Sequence, residues 1–187
     1  MWRNCGQSCR NSSAGGGHTS VEEWFRPFGI HYSAPGDATR SGLPDGSLDL
    51  YFSVAVFEHV SVKTVKALLR EAYRTLRPGG LTYHVIGMFD HYTTMDPSIT
   101  QVNFLKYSDF TWRMLGQNKI YFHNRLRESE FVTLFREAGF EIVDKRSEVD
   151  VRSLEALESM HLNAKYRGFD KRDLATQGAI FTAKKPG

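Results

Sequence analysis

The chain has 187 residues, 41% of them apolar and 13% aromatic, and a formal net charge of +3. That length supports one domain with a substantial core, and the aromatic content argues against a disordered chain. Basic residues are scattered among acidic ones, which argues against a nucleic-acid partner, and no apolar run approaches the roughly 20 residues needed to span a membrane.

The two cysteines, Cys5 and Cys9, lack a second ligand pair. No metal is therefore expected, and free thiols in a reducing compartment are the better reading. No hydrophobic leader follows the first charged residues, which fits a cytoplasmic location. Residues 1–20 are polar and rich in small side chains, a flexible tail ahead of a single domain over 21–187. The glycines at 15–17 lack the preceding buried strand that a phosphate-cradling loop requires. Val21, Trp24, Phe25 and Phe28 recur at i, i+3, i+4, i+7 and predict a short amphipathic helix. Residues 30–33 predict a short strand, stopped by Ala34, Pro35 and Gly36.

The stretch DGSLDLYFSVAVFEHV at 45–60 organises the rest of the chain. After the turn formers Pro44, Asp45 and Gly46, residues 48–52 predict a buried strand, and the apolar run closes on Glu58 and His59. Two titratable side chains at the exit of a buried strand point to a ligand crevice. Ser61 caps a helix over 62–77, with Val62, Val65, Leu69, Ala72 and Leu76 on one face. An Arg-Pro-Gly-Gly turn at 77–80 ends it, and 81–86 predict the next strand. Strand, helix and strand make a βαβ unit, parallel by right-handed crossover.

Residues 90–127 lack clean periodicity and predict a lid with short helices of its own, one at 107–116. A helix over 129–138 is capped by Ser129 and stopped by Gly139. Residues 140–143 and 178–183 predict the last strands, with a helix capped by Ser153 between them.

The 45–60 stretch, together with EAYRTLRPGG at 71–80, resembles class I S-adenosylmethionine-dependent methyltransferases, in particular the type 11 small-molecule group. Asp37 and Ala38 resemble that family's acidic adenine-contacting motif. The resemblance covers about residues 29–143. The segment from His84 through Asp90, His91, Asp96, Asn103 and Trp112 to Asn124, Arg125 and Arg127 is similar to a bacterial subgroup. The resemblance implies an α/β, Rossmann-like methyltransferase sheet of strand order 3-2-1-4-5-7-6, with a helical lid after strand 5. The family's Gly-x-Gly-x-Gly turn and the acid that ends its second strand are missing. The sheet is therefore expected to be incomplete at its N-terminal strands, unless the 30–33 strand pairs directly with 48–52.

The resemblance also implies S-adenosylmethionine as cofactor and a small-molecule acceptor, a sugar or polar metabolite methylated at O or N. Asp37, Ala38, Ser53, Val54, Ala55, Glu58 and His59 would meet the donor. Asp90 and His91, placed after strand 5, form an acid–base pair in which the Asp orients the His. His84, Asn124 and Arg125 are candidate acceptor contacts. Each residue has a plainer alternative: a turn cap for Asp37, ordinary core for Val54, a helix-start carboxylate for Glu58, a core histidine for His84, and solvated or salt-bridged roles for Asp90, His91, Asn124 and Arg125. Phe104, Tyr107 and Trp112 read as lid core. The competing reading of the whole chain is a truncated or pseudo-methyltransferase serving as a non-catalytic binding or partner subunit.

Overall fold

The computed structural model describes residues 20–115 and 122–187. Cys5, Cys9, the glycines at 15–17 and almost all of the predicted tail lie outside the described residues. The chain divides into two compact units, Met1–Asp37 and Ala38–Gly187.

In the first unit, Ser20 opens α1 (Val21–Phe25) through a capping box. Its hydroxyl accepts from the Glu23 N–H at 3.2 Å, and the Glu23 carboxylate accepts from the Ser20 N–H at 3.3 Å. The predicted apolar stripe is exposed at Val21, Trp24 and Phe28. Residues 30–33 form no strand, contrary to expectation. Ile30 and Tyr32 are exposed. With no buried face and no paired neighbour, nothing offsets the entropy of fixing an extended backbone there.

The second unit is built on a mixed four-stranded sheet. Strand β1 (Leu48–Val54) leads through α2 (Val62–Thr75) to β2 (Leu76–Gly87), which pairs with β1 in parallel, as a right-handed βαβ crossover requires. Next come α3 (Asp109–Leu115), α4 (Glu128–Glu137), β3 (Glu141–Val149), α5 (Val151–Ser159), α6 (Lys171–Ala175) and β4 (Thr176–Lys184). β4 lies antiparallel between β2 and β3, giving the order β1-β2-β4-β3. In the strand numbering of the family the sequence resembles, this is 4-5-7-6.

Ser61 caps α2 by accepting from the Thr64 N–H at 3.1 Å. The buried face of α2 carries Val65, Leu68, Leu69 and Ala72. These meet Phe57, Phe131, Phe135 and Phe181 in the main core. α2 stops at Thr75, two residues earlier than predicted, because Leu76 already has extended backbone. The Arg-Pro-Gly-Gly segment belongs to β2, where the register with β1 slips between Leu48 and Leu50. Gly79 has φ of +77°, and a Cβ on Gly80 would lie 2.9 Å from the Arg77 carbonyl oxygen, so both positions need glycine.

Two predicted caps are replaced. Arg127 occupies the cap position of α4, its N–H donating to Glu130 Oε2 at 2.9 Å, while Ser129 bonds Asp173. Asp150 caps α5 by accepting from the Ser153 N–H at 2.8 Å. The lid has its own core of Val102, Phe104, Leu105, Trp112, Leu157 and Tyr166. On the sheet face away from α2, Leu50, Phe52 and Val54 are 51%, 66% and 57% exposed. Among the described residues no strand pairs with the outer edge of β1.

Candidate active site

The parallel strands β1 and β2 end side by side, and their exits frame a crevice of about 540 Å³. The Ala55 N–H still donates to the Val85 carbonyl at 3.0 Å, although Ala55 adopts a left-handed φ of +54°. That turn redirects the chain into a 3-10 segment, Phe57–His59, which brings Glu58 and His59 to the crevice wall. Glu58 is 2% exposed. Its Oε1 accepts from the Gly87 N–H at 3.0 Å, whereas the equally buried Oε2 meets no donor among the described residues. A Cβ on Gly87 would come within 3.1 Å of Glu58 Oε1 and 3.5 Å of the Phe89 ring. Glycine thus keeps this part of the crevice open.

Three imidazoles gather at one end, although they come from three separate segments. The ring centroids lie 5.1 Å apart for His59 and His91, 4.7 Å for His91 and His123, and 6.1 Å for His59 and His123. A carbonyl oxygen can only accept, so contacts with carbonyls fix which ring nitrogen carries hydrogen. His59 Nδ1 donates to the Phe122 carbonyl at 3.1 Å and His91 Nδ1 to the Phe89 carbonyl at 3.0 Å. In their neutral forms both therefore present Nε2 as the basic atom. His91 also stacks on Phe89, with centroids 4.5 Å apart. His123 accepts the Arg125 N–H at Nδ1, and burial pushes its pKa well below the usual imidazole value, helped by the nearby His91 and Arg127. Among the described residues, no group of three or more His, Cys, Asp or Glu side chains is arranged to hold a metal ion.

Asp90 begins the turn that carries His91. Its Oδ1 accepts from the Tyr92 N–H at 3.0 Å. Burial pushes the carboxyl up, against the pull of the Tyr92 N–H and of Asn103, the Phe104 N–H and His91. Asn103 and the Phe104 N–H favour the charged carboxylate, while Oδ2 itself has no hydrogen-bond partner among the described residues. Asn124 holds the site together from behind. Its side chain donates to the Phe57 and Val60 carbonyls at 2.6 and 2.9 Å, and its backbone N–H to the Glu58 carbonyl at 3.0 Å.

The remaining predicted residues are dispersed. Ser53 turns to the core face and bonds His84 Nδ1 at 2.7 Å, while Thr82 meets His84 Nε2 at 2.6 Å. One ring nitrogen donates and the other accepts, so burial leaves His84 neutral and pushes its pKa down to about 3. Arg125 is buried in the lid, donating to the Phe104 and Tyr107 carbonyls and paired with Asp109, so it braces the lid and lines no cavity wall at the crevice. Val54 sits on the open sheet face. Asp37 is exposed in the first unit, and Ala38 is exposed at the start of the second.

A wider recess of about 970 Å³ lies beside α4 and β3, away from the strand exits. Its charges are largely satisfied within the protein: Lys145 pairs with Glu128, Lys165 with Asp109, and Asp173 accepts from Ser129. The smaller crevice is the better site because spare hydrogen-bonding capacity and basic nitrogens converge there. Sequence reasoning did not single out His123, nor Arg146, Glu148 and Gln177, which β3 and β4 bring to the crevice. Only the sheet order, which no local pattern encodes, puts those strands there.

A search of the curated proteins finds no match to this sequence. The family model described as Methyltransferase domain matches residues 20–84. Among solved structures, the [4+2]-cyclase SpnF is similar at 19% identity and a TM-score of 0.53, covering 88% of this chain and 61% of its own. A sarcosine dimethylglycine methyltransferase candidate from Galdieria sulphuraria aligns at 16% identity and a TM-score of 0.50, covering 88% and 64%. An S-adenosylmethionine-dependent methyltransferase from Methanosarcina mazei aligns at 21% identity and a TM-score of 0.47, covering 80% and 65%. The chain thus spans less than two thirds of the length of each of these structures. Residues 20–84 are similar to the methyltransferase-domain family, and the sheet has the Rossmann-like fold of the methyltransferase structures it resembles.

Proposed function

We propose that the chain carries out S-adenosylmethionine-dependent methyl transfer to a small polar acceptor, with the donor seated in the crevice at the exits of β1 and β2. The observation that carries this reading is the buried Glu58 Oε2, which meets no donor among the described residues and belongs to the wall beside His59 and His91. An orphaned carboxylate oxygen in a crevice is costly unless a ligand supplies the hydrogen bond. The residues present fit the donor. A cavity of about 540 Å³ suits a nucleoside-sized molecule. Glu58 can accept from ribose hydroxyls or an ammonium, and Gly87 leaves room that any larger residue would fill.

When bound, the donor supplies an already activated methyl group, so the chain's work is positioning, exclusion of water and handling of one proton. His91 Nε2 would take the proton from the acceptor hydroxyl or amine, and the Phe89 carbonyl holds its tautomer. Asp90 fixes the turn from which His91 projects. Asn124 is a positioning residue that braces the Glu58–His59 turn.

Hydrogen exchange with and without S-adenosylmethionine tests the placement. Protection is expected over 54–60 and 87–92, with none in α4. Protection confined to the α4 recess would overturn it.

A non-catalytic binding or partner role is the second reading. It is favoured by the exposed apolar side chains of Leu50, Phe52 and Val54 on β1. The similarity to a protein described as a [4+2]-cyclase likewise warns that the fold alone does not fix the chemistry.

A further inference from the structure

A pocket of about 300 Å³ opens on the lid side of Asp90, between the 90–99 loop and the segment 103–112. Its wall has a one-sided composition: the carboxylates of Asp90 and Asp96, the rings of Tyr92, Tyr107 and Trp112, and no Lys, Arg or His. The crevice beside it differs, mixing Arg146 and two histidines with its acids. Trp112 anchors the ring wall, edge-on to Tyr92 at 6.0 Å and stacked with Tyr107 at 6.2 Å. Asp90 is 2% exposed, and its Oδ2 meets no hydrogen-bond donor among the described residues.

A buried carboxylate oxygen without a hydrogen-bond partner, beside the rings of Tyr92 and Tyr107 and with no cationic side chain in the pocket wall, is the chemistry that recognises a substituted ammonium. Trp112 backs this wall with its own ring met by Arg125, whose guanidinium carbon lies 5.4 Å from its centroid. A neutral donor could satisfy Asp90 Oδ2 but would gain nothing from the ring faces, and an anion would be repelled by the carboxylates. The pocket also adjoins the crevice. A chamber of about 20 Å³ shares Asp90, Tyr92 and Trp112 with it, and shares His59 and His91 with the crevice. Asp90 thus stands in the wall between the aromatic pocket and the neighbourhood of the His91 imidazole.

We propose that the Asp90–Trp112 pocket binds the cationic amine group of the acceptor. The ligand is called an acceptor only on the methyl-transfer reading; the amine site itself stands on its own geometry. It assigns Tyr92 and Tyr107 a binding face in addition to their packing in the lid.

The test uses the full chain without donor. Choline and its neutral carbon isostere, 3,3-dimethyl-1-butanol, are titrated by calorimetry, and S-adenosylmethionine is titrated separately. Choline is expected to bind at least about tenfold more tightly than the isostere, as befits a desolvated cation–π and carboxylate site. Asp90→Asn should remove that preference while leaving the melting temperature within a few degrees, and the exposed Asp96→Asn should reduce it less. If Asp90→Asn does not fold, loss of the preference in Tyr107→Leu decides instead. Equal binding of choline and isostere, or a preference that survives these substitutions, would overturn the proposal. Donor binding without choline binding rejects the amine site alone. Choline binding without donor binding keeps the amine site and rejects methyl transfer.

Discussion

Phe135→Ala is expected to destabilise the second unit by about 3–5 kcal/mol. Phe135 is fully buried on α4, and its ring meets four others. The centroids lie 5.1 Å from Phe181, 5.5 Å from His84, 6.3 Å from Phe140 and 6.4 Å from Phe57. Those rings come from β4, β2, the loop before β3 and the turn after β1, so none can move into the space without disturbing the sheet. Truncation removes both the transfer free energy and the contacts around a cavity that cannot collapse. Chemical denaturation monitored by tryptophan fluorescence would read this as a lower midpoint with an unchanged slope. A loss under about 1 kcal/mol would show that α4 is not docked firmly on the sheet.

Mild acid is expected to destabilise the protein more steeply than its carboxylates alone can explain. His84 is held neutral in the core with its pKa pushed down to about 3, and burial also drives His123 well below the usual value. In the unfolded chain both titrate near 6.5. Above that pH neither state binds these protons, and the stability is fully present. As pH falls below 6.5, the unfolded chain takes them up first, so stability drops by about 1.4 kcal/mol per pH unit for His84, and His123 acts in the same direction. For His84 the loss continues until its folded pKa is reached near 3. Between pH 6.5 and 5 His84 alone costs on the order of 2 kcal/mol, and His123 adds to that loss, before most carboxylates begin to protonate. Glu71 enters later: its bonds to Arg74 and Ser41 hold its pKa at about 2, so its contribution is lost only below the usual carboxylate range. Unfolding free energies measured across this window should show an uptake of more than one proton, and His84→Gln should remove about one. A flat profile would mean that the imidazoles are protonated within the fold.

The sequence revealed the βαβ unit because its signals are local. A capped helix with an apolar face follows an apolar strand, and each signal occupies contiguous residues. It also pointed to Glu58, His59, Asp90 and His91 as residues at strand exits, and all four line cavities at or next to the crevice. It misjudged residues 30–33, where a short β-prone stretch had no partner to pair with. It also could not separate His84 from the site. That role depends on which face of β2 the ring takes, and there Ser53 and Thr82 clamp it. Asn124 and Arg125 are adjacent in the chain, yet one braces the crevice and the other the lid. His123 joined the imidazole group through a contact more than thirty residues distant in the chain, which no periodicity announces.

Methyl transfer by this chain requires, before anything else, that the strand-exit crevice hold the methyl donor. Isothermal titration of the folded chain with S-adenosylmethionine is predicted to show one-to-one binding tighter than about 1 mM, roughly 4 kcal/mol. Glu58→Ala should weaken that binding at least about tenfold, by leaving the ligand's donor groups without their acceptor. No detectable heat at millimolar donor from a chain with native circular dichroism, or an affinity untouched by Glu58→Ala, would contradict it.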